Sequence, residues 1–134
     1  MKTGTEWLID AAGCDPALLA DLGAMRVICE AIVADLGLCC IGEPRWHKFP
    51  FPGGVTGMYL LTESHLACHT FPEIRAVTFN LYCCRPRTAW AWEPQLSRRL
   101  GAARVAVRCV PRGEDPASEL GITDRVAASV GEGE

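Results

Sequence analysis

No run of apolar residues approaches the roughly 18 needed to cross a bilayer as a helix, which removes a transmembrane reading of this 134-residue chain. The opening Met1-Lys2-Thr3-Gly4-Thr5-Glu6 has no apolar export core, so the expected compartment is the cytoplasm. Basic charge is short as well: 13 Lys and Arg face 16 Asp and Glu, for a formal charge of −3, and the cations are scattered rather than gathered in a stripe. That argues against a nucleic-acid surface or an anionic membrane and leaves small molecules and protein partners. Histidine is scarce, at three, and no internal repeat is present.

Apolar residues are plentiful, at 49%, and the length suits one core, so a single domain spanning 1–134 is expected. Of the eight cysteines, the adjacent pairs Cys39-Cys40 and Cys83-Cys84 are poor bridge candidates. A cytosolic pool keeps thiols reduced, so most should be free.

Glu6 to Ala12 reads as a strand. Asp15 then caps a helix that tolerates Pro16 in its first turn, and Leu18, Leu22, Met25, Ile28, Ile32 and Leu36 form its apolar stripe up to a stop at Gly37. From Leu38 the chain looks extended into Trp46-His47-Lys48-Phe49, before Pro50, Pro52, Gly53 and Gly54 impose a loop. Strands are expected over Val55 to Thr62, Ser64 to Thr70 and Ala76 to Cys84. The last alternates Val77, Phe79, Leu81 and Cys83 against Thr78, Asn80, Tyr82 and Cys84.

A second helix is expected within Thr88 to Leu100, its regular part delayed by Pro94. A strand follows over Arg104 to Val110 with Val105, Val107 and Cys109 on a buried side, then a flexible tail over about 111–134. The sum is an α+β fold, a two-layer sandwich with a largely antiparallel sheet and two main helices on one face. The uncovered, polar-rich sheet face suits a second subunit or a substrate pocket.

Chemistry is concentrated in Leu61 to Glu73, which holds a serine, two histidines, a thiol and two carboxylates within thirteen residues. Proton transfer and acyl chemistry need such groups close together. A zinc site is disfavoured, because His65 and His69 share a strand face while Cys68 points away, and no pair of cysteines at two-residue spacing completes a ligand set; no metal is assigned. Ser64 lacks the glycines of a nucleophile elbow. A cysteine nucleophile at Cys68 or Cys84 paired with His69 stays open on spacing alone. Cys14, Cys29, Cys39, Cys40, Cys68 and Cys109 read most simply as small buried hydrophobes.

Gly54-Val55-Thr56-Gly57, Thr62-Glu63-Ser64-His65-Leu66, His69-Thr70-Phe71-Pro72-Glu73 and Cys84 together resemble the small prokaryotic S-adenosylmethionine decarboxylases, pyruvoyl enzymes of polyamine biosynthesis. The resemblance implies a proenzyme that cuts itself between Glu63 and Ser64 into a β chain, 1–63, and an α chain, 64–134. Ser64 becomes the pyruvoyl cofactor, to which the substrate amine condenses as a Schiff base that absorbs the electrons released by decarboxylation.

It further implies that His69 assists processing as a proton-transfer group, that Thr56 stands for a processing serine, and that Cys84 donates the catalytic proton. Glu73 would bind the ribose hydroxyls and Phe49 would stack on adenine, with Phe51 as a second candidate because the loop is one residue longer here. The implied activity is decarboxylation of S-adenosylmethionine to supply the aminopropyl donor for spermidine, by a homodimer of αβ units. Besides the longer loop, other features depart from the family pattern: Phe71 stands for tryptophan, Asn80 for an acidic residue, and Cys83 and Arg85 replace the threonine and the glycine-like residue of a threonine–cysteine–glycine-like run. Two alternatives follow from these departures: a pyruvoyl-dependent decarboxylase of ornithine or arginine, or a non-catalytic module that binds an adenosyl ligand.

Overall fold

The structure, a computed structural model, describes residues 3–113. Six strands, β1 (Gly4–Ala12), β2 (Arg45–Lys48), β3 (Val55–Leu61), β4 (Ser64–Phe71), β5 (Ala76–Cys83) and β6 (Arg104–Arg112), form one antiparallel sheet in the order β2-β3-β4-β5-β1-β6. Three helices, α1 (Pro16–Leu19), α2 (Leu22–Asp35) and α3 (Trp92–Leu100), pack on it. The expected two-layer α+β architecture is therefore present, and no helix among the described residues is long and apolar enough to cross a membrane.

The strand alternation decides which face meets the helices. Val55, Tyr59 and Leu61 of β3, Leu66 and Cys68 of β4, Val77, Phe79, Leu81 and Cys83 of β5, and Ile9 and Ala11 of β1 are all buried. They join Met25, Ile28, Cys29 and Ile32 of α2 and Trp92, Leu96 and Leu100 of α3 in one core. Each large apolar side chain buried in this way contributes about 1.5–3 kcal/mol. The intervening residues, among them Thr56, Met58, His65, His69, Asn80 and Glu6, lie on the opposite, helix-free face.

Several sequence expectations need correction. The long helix is two: Asp15 caps α1 by accepting from the Ala17 N–H at 2.9 Å, and Asp21 opens α2 by accepting from Ala24 N–H at 3.1 Å. A second capping residue inside the apolar stripe restarts the helix without disturbing its spacing. Gly37, at φ 66°, ends α2 as expected. The segment after Leu38 is extended as a strand only over Arg45–Lys48, apart from a single bridge between Cys40 and Leu61. Pro94 falls in the first turn of α3, so residues 85–91 form a loop that delivers Trp90 into the core, where its indole donates to Asp35 at 2.8 Å.

At the far edge, β6 runs on to Arg112 by pairing with Gly4 and Thr5, past the point where the tail was expected to begin. Residues 114–134, the rest of that tail, lie outside the described residues. Val107 and Cys109 of β6 are exposed, since α3 returns to the sheet at Leu100 and covers only the Val105 end. Of the cysteines read as buried, Cys14, Cys29 and Cys68 are, whereas Cys39 and Cys109 are exposed and Cys40 is half-buried; all eight are free.

One buried polar side chain ties the layers together. Thr70 accepts from the Val55 N–H at 2.9 Å and donates to the Leu19 carbonyl at 2.8 Å, joining the start of β3 to the end of α1. Thr70→Val keeps the shape but strands both backbone groups, and should cost about 1–3 kcal/mol. Urea unfolding of the uncut Ser64→Ala chain with and without this change measures it.

Candidate active site

The β3–β4 hairpin turns on only two residues, Thr62 and Glu63, because Leu61 pairs directly with Ser64. Ser64 is thus the first residue of a strand, immediately after a tight turn. On its other side it pairs with Cys83, which brings the end of β5 against the turn. The Cys84 N–H donates to the Glu63 carbonyl at 3.2 Å, and Arg85 Nε meets the Glu63 carboxylate at 2.6 Å. The carbonyl that precedes Ser64 is therefore already polarised by a backbone donor. Cys84 is exposed and lines a cavity of about 360 Å³ with Trp7, Arg85, Arg87 and Cys109.

The other expected residues gather at the opposite end of the same hairpin. Thr56 pairs with His69, and Thr56 Oγ1 shares a hydrogen bond of 3.0 Å with His69 Nδ1. Both line a second cavity of about 310 Å³, together with Phe49, Phe71 and Glu73. Gly54 also lines it, and only a glycine fits: a Cβ there would stand 2.5 Å from the Thr70 carbonyl. Phe51 is 97% exposed and takes no part in this cavity, which Phe49 lines.

These two groups do not meet within one chain. Ser64 and His69 are five residues apart on one strand, a separation of about 16 Å at roughly 3.3 Å per residue. Odd spacing also sends them to opposite faces, Ser64 with buried Leu66 and Cys68, His69 with exposed Phe71. Proximity in sequence conceals a separation in space, and the thirteen-residue cluster is spread from one end of β4 to the other.

A third polar group, between them on the helix-free face, had no sequence signal. Glu6 accepts from Asn80 Nδ2 at 2.5 Å and pairs with Arg112, while Asn80 Oδ1 lies 2.9 Å from His65 Nε2, whose ring stacks on Tyr82 with centroids 5.8 Å apart. A carboxylate only accepts, so the Asn80 amide must turn its NH₂ to Glu6 and its oxygen to His65. His65 Nε2 consequently carries a hydrogen. The Asn80 hydrogen bond is the main influence holding the Glu6 carboxyl below its ordinary value; burial opposes it, and Arg112 and His65 reinforce it.

With the fold and the site's geometry defined, comparison with known proteins is informative. The two-layer α+β class matches the crystal structure of the adenosylmethionine decarboxylase from Aquifex aeolicus VF5, with a TM-score of 0.72 and 27% identity over 85% of this chain and 93% of that one. The family model for S-adenosylmethionine decarboxylase matches residues 5–113. Relatives named S-adenosylmethionine decarboxylase proenzyme include one from Pelotomaculum thermopropionicum, 31% identical over 87% of this chain and 92% of its own, and one from Thermoplasma volcanium, 35% identical over 83% and 85%. The chain belongs to the S-adenosylmethionine decarboxylase family.

The network around Glu6 makes an acid-limb prediction. Its folded-state pKa lies below the ordinary 4.5, so its stabilisation is present above that value and is lost as pH falls through the folded one. Glu6→Gln should therefore lower the urea midpoint at neutral pH, and the gap from wild type should close as pH drops below about 4.5. A gap that stays constant from pH 7 to pH 3 would contradict the assignment.

Proposed function

We propose that this chain is a self-processing, pyruvoyl-dependent decarboxylase of S-adenosylmethionine, working in the cytoplasm to supply the aminopropyl donor for spermidine. The observation that carries the reading is the setting of the Glu63-Ser64 peptide: it closes a two-residue turn at the first residue of β4, with the Glu63 carbonyl already on the Cys84 N–H. The reaction is internal. Ser64 Oγ gives up its proton and attacks the Glu63 carbonyl carbon, and the oxyanion draws on the Cys84 N–H, a donor fixed in advance. The C–N bond then breaks, the nitrogen of residue 64 takes a proton, and an ester joins Glu63 to the Ser64 oxygen.

Removal of the Ser64 α-hydrogen expels Glu63 as a carboxylate and leaves a dehydroalanine. Its imine form takes up water and releases ammonia. The products are a β chain, 1–63, ending in a free carboxylate, and an α chain, 64–134, beginning with a pyruvoyl group. The residues present fit that group, since the turn offers a reactive carbonyl and an adjacent hydroxyl, and Cys84 stands beside it as a proton donor. When formed, the group supplies the electron sink for loss of carbon dioxide from an amine-bearing substrate. Cys84 protonates the former α-carbon. Phe49 and Phe71 suit an adenine ring and a nearby sulfonium charge, and Glu73 suits the ribose hydroxyls.

The split between half-sites argues for a homodimer. His69 is the group expected to take the Ser64 proton, yet it stands about 16 Å along the strand and on the other face. A two-fold axis that lays the Thr56–His69 end of one protomer over the Glu63–Ser64 end of its partner brings the pieces together twice, once at each end. The helix-free face supplies material for such an interface, with Met58, Leu60 and Phe71 exposed around the Glu6–Asn80–His65 network.

Purified wild-type protein should run as two fragments on a denaturing gel, and Ser64→Ala and His69→Ala should each run as one. Co-expressed in one cell, those two variants should restore cleavage, only in the chain that keeps Ser64. Cut protein should release carbon dioxide from S-adenosylmethionine but not from ornithine or arginine. Cys84→Ala should lower that rate by about 10²-fold or more, as loss of a general acid does. An uncut wild-type chain, or cut protein inert toward S-adenosylmethionine, would refute the reading.

A further inference from the structure

Glu63 is held at both of its functional ends by consecutive residues from across the turn. Its carbonyl accepts from the Cys84 N–H at 3.2 Å, and its carboxylate meets Arg85 Nε at 2.6 Å. Displacement of the Glu63 Cα away from β5, which would carry the carbonyl off the Cys84 N–H, is opposed by the side chain that Arg85 grips. The glycine-like residue of the family run has no side chain to make the second contact. We propose that Arg85 is a positioning residue for self-cleavage in this chain, pinning the Glu63 side chain so that the scissile carbonyl stays on its backbone donor, and that it then neutralises the new chain end. This inference rests on the self-cleaving reading.

The charge balance supports the second half. Before cleavage Glu63 carries one negative charge, and afterwards it carries two, because the released α-carboxylate joins the side chain. Arg85 already meets Glu63, and Arg87 lines with it the cavity beside Cys84, so the cation at the new chain end has a second one as a neighbour on the same cavity. Without Arg85 a substrate carboxylate would approach a doubly negative chain end, and like charges at close range repel. The ion pair is solvent-accessible, with the Arg85 side chain 70% exposed and that of Glu63 37%. Such a pair adds little to folding stability. Its effect should appear in the cleavage rate rather than in the unfolding midpoint.

The test is a time course of self-cleavage for the full chain, followed by denaturing gel and intact mass, for wild type, Arg85→Met, Arg85→Lys, Glu63→Gln and the double variant Glu63→Gln/Arg85→Met. Arg85→Met should slow cleavage about three- to tenfold. Arg85→Lys should recover to within about twofold, since a cation returns without the planar fork. The double variant should be no slower than the slower single one, because both remove the same contact. Urea midpoints in the Ser64→Ala background should not change. Cleavage of Arg85→Met at the wild-type rate, single losses that multiply in the double variant, or a midpoint that falls in step with the rate would each overturn this inference alone. A folded wild-type chain that stays uncut would remove the self-cleaving reading and this inference with it.

Discussion

The register of the three central strands is the constraint from which the candidate site follows. Because Leu61 pairs with Ser64, the reactive residue begins a strand instead of lying within one, and because Ser64 pairs with Cys83, the next backbone N–H is free to reach the Glu63 carbonyl. The same register sets Thr56 opposite His69 at the far end. A slip of one residue would exchange the faces of every side chain on the strand, exposing Leu66 and Cys68 and driving His65 and His69 into the core. Burial of Leu66, Leu81, Phe79 and Val77 against the helices opposes any such slip. The apolar face therefore fixes the chemistry on the polar one.

A sheet is a rigid support, and rigidity alone cannot produce a bond that breaks. Within a ladder each backbone carbonyl is committed to a neighbouring strand, and attack on it would cost those hydrogen bonds. The Glu63 carbonyl lies just outside the ladder, in the turn, where its one backbone partner is a donor that also suits an oxyanion. The turn leaves the Glu63 carbonyl with a backbone donor one residue before the strand begins. The Thr56–His69 pair lies at the other end of a strand of eight residues, which is too long for a side chain to span.

Much of this was legible from residue order, for identifiable reasons. Alternation over Ala76 to Cys83 fixed both faces of β5, and the three- and four-residue steps from Leu18 to Leu36 located the helical layer. What failed was what spacing does not encode. Asp21 lies at a stripe-neutral position, so the break between α1 and α2 left the apolar period intact. β6 alternates correctly, yet Val107 and Cys109 are exposed, since whether a face is covered depends on where α3 lies. The central motif was recognised as chemistry, but its apparent convergence came from counting along the chain rather than along a strand at 3.3 Å per step. The Cys84 N–H had no signal at all, being backbone, and the Glu6 to His65 network joins residues 59 positions apart.

That network bears on Asn80, which with Arg85 is a departure that touches the choice of substrate, an amide where the resemblance implies an acid. Taken alone, Asn80 removes a negative charge from the helix-free face. In the structure a carboxylate is nonetheless present beside it: Glu6 on β1 supplies the charge, Asn80 binds it with its NH₂, and its oxygen faces His65. The amide oxygen accepts one N–H from His65. Arg112 pairs with the Glu6 carboxylate at the edge of the group. An amide at residue 80 therefore does not leave the helix-free face without a carboxylate, and this group lies apart from the cavity of Phe49, Phe71 and Glu73 at the other end of the hairpin.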